Sequence, residues 1–547
     1  MPVVGIQTHY KPQYYSRAHR QRPRPRPCPC RVSSHCWGAS SRLLTFNKGK
    51  GMMMAMAATR DTDADAGEEA FYVGVDFGTS GVRATATDAS GAKVAETRVG
   101  YGEEEARLVM QSEDVHGVQQ TKWHAHETND IVRGWRWALH AAIVQLPLTV
   151  RKATRAICVD GTSATALLVD AETGVSRSKV AWYCDAQPDV AVAKAREWAP
   201  EGHTSTSSTS TLAKLACFVD DGGGMSALDG TVLAHQADVV ASWLHGRHGV
   251  TDWNNALKLG FDAKALSWPD WLASAPVAPL LPRTVHAPGE LVAPVTEEAA
   301  SLLSLPGDGR CQVCAGTTDS IAAFLALAPA SGTFSVGDAV TSLGSTIAIK
   351  LVSDVAVEDA ACGVYSHRLR LPSLDESSGT HRLSESAAWL ASGASNAGAA
   401  CLRAEVGDDA TLARLTDELM ARPSPLPRTG LAYYPLPRGR PGERFPVSDA
   451  SKPPVYEPRP DDDATFFLGL LESLSDIEAD GYAALRRLGA PAPRRILTAG
   501  GGSINAVWRQ LRADRSLPVT RGGEDAVSTE ASYGAARLAR AGVKGAL

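Results

Sequence analysis

Residues 71–81 read FYVGVDFGTSG, an apolar run that ends in an acidic residue and a turn of glycines and hydroxyls. Residues 82–88 and 93–99 alternate between apolar and polar side chains, with a glycine turn between them. This pattern predicts three strands joined by tight turns, a meander. Apolar residues then recur every three to four positions over 131–146, which predicts a helix, and residues 154–160 return to a strand.

The same order restarts near residue 334. Each half opens with a strand, a turn of glycine and hydroxyl residues, and a second strand, which indicates an internal duplication. Meander, helix and strand in this order predict a ribonuclease-H-like half. The elements predicted after the restart are a strand pair within 336–349, a helix over 466–488, a strand over 495–498, and helices after Gly502 and Ser528.

We therefore predict an α/β protein of two ribonuclease-H-like domains that flank a cleft. Residues 67–334 form the first domain, residues 335–547 form the second, and residues 1–66 form a leader and linker. A chain of 547 residues exceeds what one hydrophobic core usually supports, which agrees with two domains. A polar tract over 204–211 is predicted to be a loop.

The first 60 residues contain eleven Lys and Arg and no Asp or Glu, with Pro and Ser between them. An acid-free, Arg-rich leader is typical of an organelle transit peptide, so we expect import into the chloroplast or another organelle. The alternative is a disordered arm that binds nucleic acid. Translation that starts near Met52 would delete most of the leader and leave the protein in the cytoplasm.

Beyond residue 60 the chain carries about 16 net negative charges, which disfavours nucleic acid or an anionic membrane as the main partner. No stretch of the sequence reaches the roughly 18 to 20 uninterrupted apolar residues of a membrane helix. Cys311 and Cys314 form a C-x-x-C pair without a second pair or a nearby His, so we predict a buried structural role for them rather than a zinc site. The sequence does not indicate the oligomeric state.

The turn after the first strand has the residue types of a phosphate site. Its glycines permit tight backbone, and its N–H and hydroxyl groups can hold phosphate oxygens. Asp76 at the strand end is a candidate ligand of Mg²⁺. Asp and Gly after a strand are also ordinary turn residues, so the turn alone leaves both interpretations open. The candidate ATP-binding residues here are Gly78, Thr79, Ser80, Gly81 and the cation Arg83 on the next strand, which can reach a transferring phosphoryl group.

Two further segments have the residue types of nucleotide sites. A hairpin turn in the second half contains a glycine and two hydroxyls, and two such turns can grip one triphosphate from opposite sides. Later in the chain a strand runs into three glycines, whose missing side chains let the backbone approach a flat, bulky ligand. The order of glycines does not match a dinucleotide motif. The candidate ATP-binding residues of both segments are Gly344, Ser345, Thr346, Gly500, Gly501, Gly502 and Asn505.

Asp319 follows a glycine and two threonines and precedes a helical apolar run. Asp is favoured at helix starts, so a helix cap is one interpretation of this residue. The other is a general base that accepts the proton of a sugar hydroxyl as that hydroxyl attacks the γ-phosphate of ATP.

Taken in order, these segments resemble the FGGY carbohydrate kinases, over about residues 71–541. Two more motifs of the second half support the resemblance. Residues 442–446 read GERFP, similar to the family's G-E-R-x-P segment, and residues 500–510 are similar to its adenosine segment, with Trp508 and Gln510 in place. The resemblance implies the actin-like or hexokinase-type ATPase fold, in which two domains flank a cleft for ATP and a sugar.

The resemblance also implies roles for single residues. It implies Asp319 as the catalytic base and Asp76 as the residue that serves both the metal and the substrate. Residues 160–163 and 255–260 are similar to the plant and cyanobacterial D-ribulose kinases of this family. The family's W-x-D-x-R pattern is kept in part, because Gln187 occupies the Arg position. The implied substrate-binding residues are Asp76, Asp160, Ser163, Asp185 and Asp319.

The resemblance therefore predicts a kinase that uses ATP and Mg²⁺ and phosphorylates a ketopentose. D-ribulose is the first candidate substrate, and D-xylulose or a pentitol is the alternative. The alternative outside sugar chemistry is a nucleotide-binding chaperone or filament protein of the same fold. Those proteins lack the G-E-R-x-P segment, and ATP consumption that depends on added sugar would separate the two classes.

Overall fold

The structure is a computed structural model, and it describes residues 69–101, 128–328, 334–359, 361–370, 372–375, 380–383, 388–439, 441–520 and 528–545. Gly67–Leu547 forms one compact unit. The predicted leader and linker, residues 1–66, lie outside the described residues.

The predicted meander and the strand and helix after it are all present in the first half. The described strands of this half are β1 Phe71–Phe77, β2 Gly81–Thr87, β3 Lys93–Gly100, β4 Thr154–Gly161, β5 Ala166–Asp170, β6 Thr231–His235, β7 Val250–Asp252, β8 Thr284–His286, β9 Leu291–Pro294 and β10 Gln312–Thr318. Its described α-helices are α1 Thr128–Val144, α2 Leu148–Lys152, α3 Asp189–Trp198, α4 Thr211–Asp221, α5 Gln236–His245, α6 Trp253–Ala256, α7 Asp270–Ala273, α8 Glu297–Leu303 and α9 Asp319–Ala326.

Six of these strands form a sheet in the order β3-β2-β1-β4-β10-β9. β1, β2 and β3 pair antiparallel, whereas β4 and β10 run parallel to β1. Side chains of β1 pack into clusters on both faces of the sheet, Val73 and Val75 on one face and Tyr72 on the other. Burial on both faces explains why the sequence of β1 is a nearly continuous apolar run.

The described strands of the second half are β11 Asp338–Leu343, β12 Ile347–Ser353, β13 Tyr365–Leu369, β14 Pro372–Asp375, β15 Thr380–Leu383, β16 Ala388–Ala394 and β17 Arg495–Ala499. Five of them form a second sheet in the order β13-β16-β12-β11-β17. β11 and β12 are the predicted strand pair, and β17 lies parallel to β11. The described α-helices are α10 Ala399–Glu405, α11 Asp409–Met420, α12 Asp463–Arg487, α13 Ala506–Ala513 and α14 Ala531–Gly545.

Three of the hydrophobic clusters among the described residues pack against the two large sheets. The first covers the outer face of the six-stranded sheet with residues of α1, α5 and α8. The second covers one face of the five-stranded sheet with residues of α11, α12 and α13. The third contains residues of both sheets together with α9 and α14, so these two helices form the shared middle layer.

The helix α14 packs unusually close to the first sheet. A Cβ atom placed on Gly74 of β1 would lie 2.0 Å from the carbonyl oxygen of Ser532 and 2.2 Å from the amide nitrogen of Ala536. Only a glycine permits this approach of helix backbone to strand backbone. An element from the second half of the sequence therefore covers the first sheet.

Most predicted elements are confirmed, with small shifts at their ends. Within the polar tract 204–211, the structure has a 3₁₀ turn at Thr204–Thr206, and Thr211 already begins α4. The strands before and after residue 334 belong to different sheets, while the domain boundary at that residue stays a prediction. In the described part of the chain, no helix is both long and apolar enough to cross a bilayer.

The predicted structural role of the C-x-x-C cysteines is supported by their burial. Cys314 on β10 and Cys311 directly before that strand are fully buried, and both thiols are free. Burial raises the pKa of each thiol to about 12, so both remain protonated and unreactive near neutral pH.

Candidate active site

Three carboxylates lie at one edge of the first sheet, at the ends of three parallel strands. Asp76 on β1 is the direct neighbour of Asp160 on β4, and Asp160 is in turn the neighbour of Thr317 on β10. Asp319 follows two residues after Thr317 and begins α9. The carboxyl ends of parallel strands are where ligands of open α/β sheets bind. The structure thus brings together three of the predicted substrate-binding acids.

Asp76 and Asp160 form a buried acid pair with 3% and 0% of their surface exposed. Burial, and then the charge of Asp76, raise the pKa of Asp160 well above its ordinary value. Burial also raises the pKa of Asp76. Oδ1 of Asp76 and both carboxylate oxygens of Asp160 have no hydrogen-bond donor among the described residues. A proton shared by the pair, or a bound cation, would satisfy these oxygens.

Arg83 is held between two carboxylates. Its Nη1 lies 3.1 Å from Oδ2 of Asp76, its neighbour across the β1–β2 pair, and its Nε lies 3.0 Å from Oε2 of Glu530. The sequence predicted Arg83 as a cation for the phosphoryl group, and the structure places it beside the acid pair. Glu530 precedes α14 and had no sequence signal, because its partner is distant in the chain.

The first glycine turn presents its hydroxyls to solvent. The amide of Gly78 donates to the carbonyl of Gly81 at 3.1 Å, and the amide of Tyr101 on the chain after β3 donates to the carbonyl of Ser80 at 3.1 Å. The side chains of Thr79 and Ser80 are exposed. The turn is therefore fixed through its backbone, while its hydroxyls remain accessible to a ligand.

Of the two roles that the sequence left open for Asp319, the helix cap belongs to a neighbouring residue. Asp319 is the first residue of α9, but the helix is capped by its neighbour Thr318, whose hydroxyl accepts from the amide of Ile321 at 3.4 Å. The carboxylate of Asp319 is half-buried and accepts from the amide of Ser320 at 2.6 Å. Burial, and then the charge of Asp76, raise the pKa of Asp319 to about 6. It is therefore a carboxylate at neutral pH and basic enough to accept a proton.

The predicted sugar segment after β4 is held in a strained conformation. Ser163 is half-buried, and Ala164 beside it adopts a left-handed backbone with φ of 64°. The ammonium of Lys214, which is fully buried, donates to the carbonyl of Ala164 at 2.7 Å. Burial lowers the pKa of this ammonium to about 8. Lys214 had no functional signal in the sequence, since it occupies an apolar helical run.

One carboxylate oxygen of Asp185 accepts a hydrogen bond from a residue nearby in the chain. This oxygen, Oδ2, accepts from the amide of Trp182 at 2.8 Å, which closes a tight turn. The side-chain amide of Gln187, in the position where the family pattern has Arg, donates to the carbonyl of Asp185 at 3.1 Å. The substrate contact predicted for Asp185 stays a prediction.

The second hairpin turn and the glycine triplet lie side by side. Ser342 at the end of β11 is the neighbour of Ala499 at the end of β17, so the two strands deliver their turns to the same place. Gly500 has a φ of 83°, and a Cβ on it would lie 2.8 Å from the carbonyl carbon of Leu343. Gly501 has open space where a side chain would be. These two predicted ATP segments thus form one continuous backbone surface.

A buried ion pair fixes the two strands behind this surface. Arg512 on α13 donates from Nε to Oε2 of Glu478 at 2.5 Å and from Nη2 to Oε1 at 2.7 Å. It also donates to the hydroxyl of Thr498 on β17 at 2.6 Å. The hydroxyl of Thr341 on β11 donates to Oε1 of Glu478 at 2.5 Å. Both carboxylate oxygens of Glu478 are satisfied, as a buried charge requires.

Asn505 has both groups of its amide engaged within the protein. Its Oδ1 accepts from the amide of Trp508 at 2.9 Å and caps α13, and its Nδ2 donates to the hydroxyl of Thr416 at 2.9 Å. These contacts fix the end of the glycine segment. Direct ATP contact by Asn505 stays a prediction.

Glu443 of the GERFP segment is buried and supports the second hairpin turn. It accepts from the hydroxyl of Ser395 at 2.6 Å and from the amide of Asn396 at 2.8 Å. The segment after β16 in turn contacts the turn, because the amide of Ile347 donates to the carbonyl of Ala397 at 2.7 Å and the amide of Ala399 to that of Gly344 at 2.9 Å. The motif was recognisable in the sequence, but its structural partner was not.

Among the described residues, no group of three or more His, Cys, Asp or Glu is arranged to hold a metal ion. Mg²⁺ bound with a nucleotide usually takes one or two carboxylates besides phosphate and water. The unpartnered Oδ1 of Asp76 fits a contribution of that kind.

Solved structures of carbohydrate kinases share this fold over most of their length. A xylulose kinase from Brucella ovis superposes with a TM-score of 0.67 at 21% identity, over 87% of this chain and 91% of that one. A xylulose kinase from Rhodospirillum rubrum gives 0.65 at 20% identity, over 87% and 91%. A glycerol kinase from Plasmodium falciparum, solved with ADP, gives 0.63 at 15% identity, over 87% and 90%.

Residues 377–542 match the model of the FGGY family of carbohydrate kinases, C-terminal domain. The C-terminal part of the chain is thus similar to the C-terminal domain of the FGGY carbohydrate kinases. The predicted fold class, two ribonuclease-H-like halves in an α/β architecture, is confirmed by the shared fold of these kinases. The matched residues include Glu443 and the glycine triplet, whereas the second hairpin turn, residues 344–346, precedes the match.

Proposed function

We propose that this protein is an FGGY kinase that transfers the γ-phosphate of ATP to the terminal primary hydroxyl of a ketopentose, with D-ribulose as the preferred sugar and its 5-phosphate as the product. The observation that supports it most is the carboxylate of Asp319, placed at the start of α9 beside the buried acid pair. Its pKa of about 6 suits a group that must be ionised at rest and accept a proton during the reaction.

The reaction needs one proton transfer and one displacement at phosphorus. Asp319 accepts the proton of the sugar hydroxyl while the hydroxyl oxygen forms a bond to the γ-phosphorus. The bond between the γ-phosphorus and the β,γ-bridging oxygen breaks, and ADP leaves with that electron pair. Positioning and charge stabilisation supply most of the catalysis in such a transfer.

The remaining predicted residues are assigned to holding the two substrates. Residues 78–81 and 344–346 hold the phosphates through backbone and hydroxyl groups, and residues 500–502 receive the adenosine. Asp160 and Ser163 face the sugar. Asp76 would hold Mg²⁺, directly or through water, and the bound cation would neutralise charge on the phosphates.

D-ribulose is preferred because of residues 160–163 and 255–260, whose sequences carry the resemblance to D-ribulose kinases. D-xylulose is the second candidate, because two of the structures that share the fold are xylulose kinases. The two sugars differ in configuration at a single carbon.

An ADP-release assay across pentuloses, pentitols and glycerol tests the proposal. We expect ADP release that depends on added sugar, with the highest kcat/KM for D-ribulose. A higher kcat/KM for D-xylulose would replace the preferred substrate and keep the reaction. ADP release that is independent of every sugar would overturn the kinase assignment in favour of another ATPase of this fold.

We also propose that residues 1–66 direct import into an organelle, with the chloroplast as first candidate, because the leader is basic and free of acids. Mass spectrometry of the mature N-terminus in the native host tests this. A mature start close to residue 66 supports cleavage after import, and retention of residues 1–40 contradicts it.

A further inference from the structure

A lysine of the second sheet contacts the helix that carries the proposed base. Lys350 lies on β12, four residues after Thr346 of the second hairpin turn. Its ammonium donates to the carbonyl of Ser320 and, at 2.7 Å, to the hydroxyl of the same residue. Ser320 is the second residue of α9, so this contact joins the two halves of the molecule at the site.

The contact continues to the carboxylate of Asp319. The amide of Ser320 donates to Oδ1 of Asp319 at 2.6 Å. Lys350 therefore holds both oxygen atoms of a residue whose amide holds the base. A short chain of three residues leads from the second phosphate turn to the carboxylate.

The local secondary structure does not depend on Lys350. Its backbone lies in the middle of the sheet, between Val340 of β11 and Ser392 of β16. The start of α9 has its own cap in Thr318. Loss of the ammonium should accordingly leave strand and helix in place and affect how they sit against each other.

Lys350 remains a cation in its buried position near Asp319. Burial lowers the pKa of its ammonium to about 8 while the charge of Asp319 opposes the shift, so it stays protonated at neutral pH. His367 of the same sheet is neutral there, because burial and then Lys258 and Lys350 lower its pKa to about 3. Lys258, on the short turn after α6, is the second cation that acts on Asp319.

We propose that Lys350 is a positioning residue that couples the second phosphate turn to the base, holding Asp319 in place through Ser320 when the two halves are apposed. This inference rests on the proposed function. A misplacement of about 1 Å in a reacting group can cost about 100-fold in rate, so a tether across the cleft affects turnover without touching either substrate.

Substitution of Lys350 by Met tests the tether, because Met keeps the length and apolar stem of the side chain and removes the charge and donors. We expect kcat to fall about 10- to 100-fold, with KM for ATP and for the sugar changed less than about threefold. Lys350→Arg should recover part of kcat, since it restores a cation with a different shape. Lys93→Met is the matched control, because Lys93 lies on the edge strand β3 and pairs with Glu96. If Lys350→Met fails to fold, Lys350→Gln takes its place in every comparison.

A double-mutant cycle with Ser320→Ala separates the tether from a general effect of lost charge. Ser320→Ala removes the hydroxyl acceptor and keeps the carbonyl, so its own effect on kcat should be within about fivefold. In the Lys350→Met background, Ser320→Ala should cause no further loss, because the interaction is already gone. Losses in the two single variants that multiply in the double variant would overturn the tether.

Hydrogen exchange of the α9 amides provides a readout that does not depend on activity. We expect faster exchange in residues 319–326 of Lys350→Met and no change in Lys93→Met. A wild-type protein that releases no ADP with any sugar would overturn the proposed function, and the exchange data would still test the tether. Normal kcat in Lys350→Met, or unchanged exchange of α9, would overturn the role of Lys350.

Discussion

The two predicted phosphate turns have similar sequences but opposite electrostatic surroundings. The first turn adjoins a buried pair of acids with three unpartnered oxygens and a cation shared between two carboxylates. The second turn has no charged side chain of its own, and it is fixed by backbone contacts with the segment after β16 and with Gly500. Glu478 and Arg512, which fix the strands behind it, form an ion pair with each other. Unsatisfied charge thus lies where the proposed chemistry occurs, and satisfied charge lies where backbone shape is needed.

Removing the proposed base, which lies near the first phosphate turn, should give the largest loss of activity. Asp319→Asn keeps the shape of the side chain and removes its basicity, so we expect kcat to fall about 10²- to 10⁴-fold with a small change in KM. Asp308→Asn, at an exposed loop acid paired with Arg310, is the control. The comparison between the turns would break if Asp319→Asn phosphorylated ketopentoses at the normal rate in steady-state assays.

Neutralising Asp76 should change activity and stability in opposite directions. We expect kcat/KM to fall about 10- to 100-fold, because the proposed metal contact and the partner of Arg83 are lost. We expect the folded state to gain about 1 to 2 kcal/mol at pH 7.5, because burial, the main cause of the raised pKa of Asp76, disfavours its charge in the folded protein, and that charge adds to the burial that raises the pKa of Asp160. Calorimetry and kinetics of Asp76→Asn measure both effects.

The sign of this stability effect can be checked by measuring stability at a lower pH and by a control substitution in the second turn. The pKa values of Asp76 and Asp160 are raised on folding, so their penalty is present at high pH and is relieved as the pair takes up protons on acidification. The gain from Asp76→Asn should therefore shrink at pH 5. Ser345→Ala at the second turn should show no gain at either pH, and an equal gain there would remove the contrast.

The pH dependence of turnover should follow the titration of Asp319, near the first phosphate turn. Because the pKa of Asp319 is about 6 and the carboxylate is the active form, kcat/KM for the sugar should fall tenfold for each pH unit below about 6. Initial rates between pH 4.5 and 8 measure this, with a buffer-matched stability control. A flat profile down to pH 5 would show that another group accepts the proton.

The smallest effect should come from the support of the second turn. Glu443→Gln removes the charge from the bonds to Ser395 and Asn396, each worth roughly 1 to 2 kcal/mol with a charged acceptor, so KM for ATP should rise about 3- to 10-fold. KM for the sugar and kcat should stay within twofold. Glu418→Gln, on the exposed face of α11, is the control. A rise in the sugar KM alone would contradict the division of roles between the turns.

The elements of the fold were predictable because their signals are local. Alternation marks β2 and β3, a three-to-four residue repeat marks α1, and glycine and hydroxyl turns mark the starts of both halves. The same holds for the family motifs, which are contiguous in sequence. The position of Asp319 at a helix start was predicted, and the cap role that competed with the catalytic one belongs to Thr318.

The contacts that complete the site were not predictable, because they join residues that only tertiary packing brings together. Strand register places Asp76 beside Asp160. Lys350 donates to Ser320, 30 residues earlier in the chain. Ser395 donates to Glu443, 48 residues later. Polar residues within apolar runs, such as Lys214 in α4, have no periodic signal that distinguishes a buried contact from a solvated surface. For Asn505, the structure adds contacts within the protein to the predicted contact with ATP.

The close packing of α14 on Gly74 has a consequence for how the protein is made. A ribosome that has synthesised β1 through α9 has produced every strand of the first sheet. The helix that covers one face of this sheet, α14, begins about 200 residues after the end of α9. Until α14 emerges, the apolar side chains of Tyr72, Phe324 and their neighbours lack part of their cover. Nascent chains are therefore expected to need chaperone protection late in synthesis, and a fragment that ends near residue 334 is expected to aggregate.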